Sequence, residues 1–179
     1  MKKTAMLLMI LLAMTMAVAF AGCGGDGEDV VTADNDQISF ESTDLDGNVI
    51  SSEELFAENP VTMVNVWGTF CGPCIEEMPE IEQINKEYAE QGAAVCGLVC
   101  DMPEGDDSLL QDALDIIDET GVTYLNLYWS SDMESQLNVT AVPTTFFVDS
   151  EGNLLGEPIV GADPDSYREA LDEYLAQVD

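Results

Sequence analysis

The chain has 179 residues, 46% of them hydrophobic, and sets 36 Asp and Glu against 4 Lys and Arg for a formal net charge of −32, with no histidine. A surface this acidic repels phosphate backbones and anionic headgroups, which excludes nucleic-acid binding as a function class. The missing histidine removes the commonest zinc and copper ligand.

The first 22 residues hold Lys2 and Lys3, an apolar run from Ala5 to Phe20 and small residues before Cys23. That is the layout of a secretory signal peptide, and the run falls short of the roughly 20 apolar residues a membrane span needs. Its end, "FAGC", resembles the bacterial lipoprotein signal, except that Phe20 stands where leucine is usual. The resemblance implies lipidation of Cys23 at a new N-terminus; the alternative is a soluble secreted protein with an incidental Cys23. Residues 23–36 are acidic and glycine-rich, and read as a flexible tether. Residues 37–179 then form one domain, long enough for a proper core. Without residues 1–22 only Lys86 and Arg168 oppose the 36 acids, a charge of 2 − 36 = −34. Such self-repulsion suits a salty medium, and equally a merely soluble surface.

"ISFESTDLDGNVIS" (38–51) has two alternating runs around "DGN", the signature of a β-hairpin. "VTMVNVW" (61–67) is a near-continuous apolar run, suited to a central strand covered on both faces. From Gly72 to about Gln91, Ile75, Met78, Ile81, Ile84 and Tyr88 recur at helical spacing, with Pro79 expected to kink the helix. "AAVCGLVC" (93–100) is a second buried strand, and a helix over 107–121 closes at Gly121. A short strand (123–129) and a brief helix (131–138) follow. "TTFFVDSEGNLLGEPIV" (144–160) reads as a hairpin turning on "SEGN", and 163–178 as a helix entered through Asp163 and Pro164. Strands separated by helices early and a hairpin late predict an α/β fold with a mixed central sheet flanked by helices and an N-terminal hairpin extension.

Cys71 and Cys74 bracket Gly-Pro at the strand-to-helix junction. Helix positions three apart lie about 5–6 Å from one another, near enough for a disulfide to be made and broken locally. The first turn of a helix also favours a thiolate. A permanent staple is the alternative, but a loop enclosing two residues removes little unfolded-state entropy, which favours a redox-active pair. A zinc site of Cys71, Cys74, Cys96 and Cys100 is disfavoured, because the second pair lies in what reads as a strand. Four apart in a strand, Cys96 and Cys100 sit about 13 Å from each other and cannot bond; they are buried thiols, or a second pair if the strand ends before Cys100.

"VNVWGTFCGPCIEEMP" together with "VTAVPTTFFVDSEGNLLG" resembles the thioredoxin superfamily, and within it the extracytoplasmic TlpA/ResA-type thiol-disulfide oxidoreductases, across the whole domain. The resemblance implies a thioredoxin-like fold, Cys71 as nucleophile, Cys74 as resolving thiol and Pro143 in a cis peptide facing the pair. Trp67, Phe70, Val142 and Thr144 are expected around an incoming chain. Phe70 stands where tryptophan is usual, and Asn65 where cytoplasmic thioredoxins carry a buried aspartate. Glu77 matches the ResA-like glutamate. It either moves the proton of Cys74 or merely complements the helix dipole.

The same resemblance implies exported disulfide-bearing clients such as apocytochrome c and a membrane thiol donor of the CcdA/DsbD type. The place is the outer face of a bacterial cytoplasmic membrane, with no cofactor and no metal. A Gly-Pro dipeptide is the one thioredoxin carries, at about −270 mV, which favours a reductant. Two rival activities are weaker. A peroxiredoxin wants an arginine near its thiol, and Arg168 lies in the last helix; a copper-delivering Sco-like protein wants a histidine. A non-catalytic thioredoxin-fold adaptor would not need Cys71, Cys74 and Pro143 together.

Overall fold

The computed structural model describes residues 37–178; the expected signal peptide, Cys23 and the tether to residue 36 lie outside them. Among the described residues no helix is long and apolar enough to cross a membrane.

Strands β1 (Glu41–Thr43) and β2 (Val49–Ser51) pair antiparallel as the expected hairpin. Their turn is held by Asp44, whose carboxylate accepts from the backbone N–H of Asp46 and Asn48 and from the Asn48 amide. Asp149 repeats the construction with Glu151 and Asn153. Both turns read Asp-x-x-Gly-Asn, and their glycines have φ of +91° and +84°. At Gly152 a Cβ would also lie 2.7 Å from the Ile38 carbonyl oxygen, so only glycine fits.

Five strands form the central sheet in the order β5-β4-β3-β6-β7. Strand β3 (Val61–Trp67) lies in the middle, buried throughout, parallel to β4 (Ala93–Pro103) and antiparallel to β6 (Thr144–Asp149). Strand β5 (Leu125–Trp129) runs parallel to β4, and β7 (Ile159–Val160) antiparallel to β6. Because strand side chains alternate, the sheet has two cores. Met63, Trp67 and Val95 meet helices α2 (Gly72–Tyr88), α3 (Leu110–Thr120) and α5 (Pro164–Val178) through Met78, Ile81, Ala113 and Tyr167. Val64, Val66, Cys96 and Leu98 meet the N-terminal segment, α1 (Ser52–Ala57) and α4 (Ser131–Gln136) through Phe40, Phe56 and Met133. There Phe40 and Phe56 cross edge to face at 5.8 Å, which fastens the N-terminal segment to the domain.

This is the expected thioredoxin-like α/β fold, with differences in detail. Helix α1 has no counterpart in the sequence reading, because one buried anchor, Phe56, gives no periodicity. Helix α2 ends at Tyr88, short of Gln91, because Ala89–Gln91 tighten into a 3-10 turn before Gly92. Strand β4 runs on to Pro103. The late hairpin is broken: after Asn153 only Leu154 bridges back to Val148, and pairing resumes at β7.

Candidate active site

The site forms where β3 ends and α2 begins, beside the loop that enters β6. Asp101 on β4 pins the connecting turn: its carboxylate accepts the Thr69 N–H at 3.1 Å and the Thr69 hydroxyl at 2.6 Å. Cys71 then caps α2 in extended conformation, and the Cys74 N–H donates to its Sγ at 3.3 Å. Pro73 occupies the first turn, where its missing N–H costs nothing. The two cysteines form a disulfide with Cα atoms 5.3 Å apart. Both cysteines are buried, Cys71 at 6% exposure and Cys74 at 1%, so the little exposure the pair keeps belongs to Cys71. A thiolate at Cys71 inherits the Cys74 N–H and the positive end of α2.

The Val142–Pro143 peptide is cis, and the Val142 carbonyl oxygen lies 3.6 Å from Cys71 Sγ. Phe70, 70% exposed, and Val142 border an open groove of about 880 Å³ whose walls include Trp129, Leu137 and Val139.

Two of the expected contact residues do not reach that surface. Trp67 is fully buried and its indole N–H donates to Asn126 Oδ1 at 2.9 Å. Thr144 is 1% exposed and gives its hydroxyl to the Ala141 carbonyl at 2.8 Å. Neither side chain can touch an incoming chain; both shape the floor from below. The sequence could not separate them from Phe70 and Val142, because burial is decided by elements far away in the chain.

Glu77 lies one helical turn beyond Cys74 and is buried. Asn65 Nδ2 donates to its Oε1 at 3.1 Å, and the Tyr167 hydroxyl lies 3.0 Å from its Oε2. Burial pushes the carboxyl from its ordinary 4.5 up to about 7, against the pull of those two hydrogen bonds. A carboxyl held there can accept or release a proton near neutrality. Asn126, Asp101 and Tyr167 were not singled out by the sequence. Tyr167 shows there only as one aromatic among the apolar positions of the last helix.

The profile of the Redoxin family matches residues 31–175. The chain belongs to the Redoxin family. It is similar to the thiol-disulfide oxidoreductase ResA of Bacillus cereus, 27% identical over 99% of both chains, and to ResA of Halalkalibacterium halodurans, 28% identical over 66% of this chain and 63% of that one. In fold it is similar to a DsbF homologue from Corynebacterium diphtheriae, with a TM-score of 0.66 at 16% identity over 84% of this chain and 97% of that one. Within the family it is a ResA-like thiol-disulfide oxidoreductase, with the Cys71–Cys74 pair at disulfide distance.

The other cysteines of this Redoxin-family chain stand apart from the pair. Cys96 and Cys100 are free thiols on one continuous strand, facing the opposite core from Cys71 and Cys74. Burial pushes the Cys96 thiol up to about 12; burial and then Asp101 push Cys100 up to about 11. Both stay protonated at neutral pH. The sheet thus separates the four sulfurs that a zinc site would need to gather, and among the described residues no three metal-ligating side chains converge. Arg168 is taken up by Glu80 and Glu87.

Proposed function

We propose that the chain is a membrane-tethered reductase of disulfides in exported proteins. The observation that carries this reading is the position of Cys71 Sγ, at the start of α2, 3.6 Å from the Val142 carbonyl and on the less buried of the two bonded cysteines. The Cys71 thiolate attacks one sulfur of a client disulfide, whose S–S bond breaks as a mixed disulfide forms. The departing client sulfur leaves as a thiolate and takes a proton. Glu77 accepts the proton of Cys74, whose thiolate attacks Cys71 Sγ and releases the second client sulfur. Two electrons pass to the client, and the Cys71–Cys74 disulfide remains for an external dithiol to reduce.

Phe70 and Val142 offer apolar contact to the client, and the loop at Pro143 receives its backbone. Cys23 is the lipid anchor, residues 23–36 the tether, and a membrane thiol carrier of the CcdA/DsbD type the source of electrons, with apocytochrome c one client. The place is outside the cytoplasm. Reduction of insulin by the dithiothreitol-primed protein tests the activity: wild type accelerates it, and Cys71→Ser abolishes the acceleration. Equilibration against glutathione fixes the direction, because a midpoint potential above roughly −150 mV assigns the chain to disulfide formation instead.

A further inference from the structure

The Tyr167 hydroxyl is fully buried and has one hydrogen to give, yet it faces two acceptors: Glu77 Oε2 at 3.0 Å and the Gly161 carbonyl oxygen at 2.9 Å. It also accepts the Asp163 N–H at 3.3 Å. Gly161 in turn donates its own N–H to the Pro143 carbonyl oxygen at 2.8 Å, next to the β6–β7 pair Thr144 and Val160. A short path of hydrogen bonds therefore runs from the carboxyl behind Cys74 to the loop facing Cys71.

The hydrogen count decides what this path does. When Glu77 is charged it accepts at both oxygens, so the tyrosine hydrogen points at Oε2 and the Gly161 carbonyl loses its donor. When Glu77 is neutral its own O–H donates to Tyr167, whose hydrogen then turns to Gly161 and restores that carbonyl's donor. We propose that Tyr167 is a positioning residue that reports the charge of Glu77 to the Pro143 loop, with its hydroxyl switching between the carboxylate and Gly161.

This rests on the proposed reductase reading for its purpose, since Glu77 changes charge in each turnover as it takes the proton of Cys74. The loop that holds the client is then told when the second thiol is ready. The titratable groups around the pair are Cys74 and Tyr124, the latter buried with no hydrogen-bond partner among the described residues, and the carboxylates Glu76, Glu80, Asp163 and Asp165 that line the groove outside Glu77. Burial pushes the Tyr167 hydroxyl up to about 12, so it keeps its hydrogen throughout the working range.

Nuclear magnetic resonance of the labelled protein from pH 5 to 9 reads the switch directly. In the wild type, the Gly161 amide follows the Glu77 carboxyl carbon with a shared midpoint. In Tyr167→Phe, the Gly161 amide stops following it, while the Glu77 midpoint rises by about one unit because a donor to its charged form is lost. In Glu77→Gln the Gly161 amide is flat with pH, a comparison that stands even if the tyrosine variant does not fold. A Gly161 amide that ignores pH in the wild type, or that still follows Glu77 in Tyr167→Phe, overturns the proposal. Insulin reduction is scored separately: a protein active on insulin with a silent Gly161 refutes the switch alone, and an inactive one with a responsive Gly161 refutes the reductase reading alone.

Discussion

Asn65 on β3 donates to Glu77 on α2 at 3.1 Å and, through the same amide nitrogen, to Thr145 on β6 at 3.0 Å. One side chain thus ties the central strand, its neighbour and the site helix together beneath the disulfide. Asn65 cannot take a proton, so the titrating group in this floor is Glu77. Its folded pKa of about 7 lies above its ordinary 4.5. Between those values the native state holds a proton that the unfolded chain has lost, so stability falls as pH rises from 4.5 to 7 and levels off above. The cost above pH 7 is at most about 3 kcal/mol. Glu77→Gln keeps the shape without the charge. It should match the wild type in urea unfolding at pH 4 and exceed it at pH 8; equal pH slopes for the two proteins would contradict the burial of a charge here.

Cys74 is 1% exposed, behind Cys71. Cys74→Ser should therefore leave the first attack intact and accumulate a Cys71-linked mixed disulfide with a model client, visible by mass spectrometry. Cys71→Ser should give none. Equal trapping by both variants would mean that either sulfur can lead the attack.

Gly97 on β4 faces Asn126 and Trp67: an added Cβ would fall on Asn126 Oδ1 and within 3.1 Å of the indole nitrogen. Gly97→Ala should break the Trp67–Asn126 hydrogen bond and cost about 1–3 kcal/mol. Tryptophan fluorescence in a Trp129→Phe background, recorded through an unfolding titration, reads both effects; an unshifted midpoint speaks against this packing.

The Asp101 carboxylate is the acceptor for both the N–H and the hydroxyl of Thr69. Asp101→Ala leaves both without it and should cost about 1–3 kcal/mol, with Asp101→Asn recovering part because one oxygen remains. Equal losses in the two variants would show that the charge, and not the clamp, matters.

Lys86 pairs with Glu82, and Arg168 with Glu80 and Glu87, so both cations of the domain are already engaged with α2. The remaining surface charge is repulsive. Raising salt from 0.1 to 1 M shortens the Debye length from about 10 to about 3 Å, which weakens many repulsions and few attractions. The melting temperature should rise over that range; a fall would mean that the ion pairs outweigh the repulsion.

What the amino-acid order determined by itself was local. The apolar run from Val61 to Trp67, the helical spacing from Ile75 to Tyr88 and the Asp-x-x-Gly-Asn turns need only neighbours along the chain to declare themselves. So does the Cys71–Cys74 spacing at a strand-to-helix junction, and with it the chemistry of the site. Which side chains are buried beside that pair was decided only by the tertiary structure. Trp67 and Phe70 are three residues apart and look alike as contact candidates, yet one is covered by the sheet and α2 while the other stands in solvent. Tyr167, 90 positions from Glu77, meets it only because α5 packs on the face of the sheet that carries α2. Hydrophobic periodicity says which face of an element turns inward, whereas the partner it meets there depends on the order in which the strands assemble. That order, with α5 returning to α2, put a tyrosine beside the carboxyl that serves the disulfide.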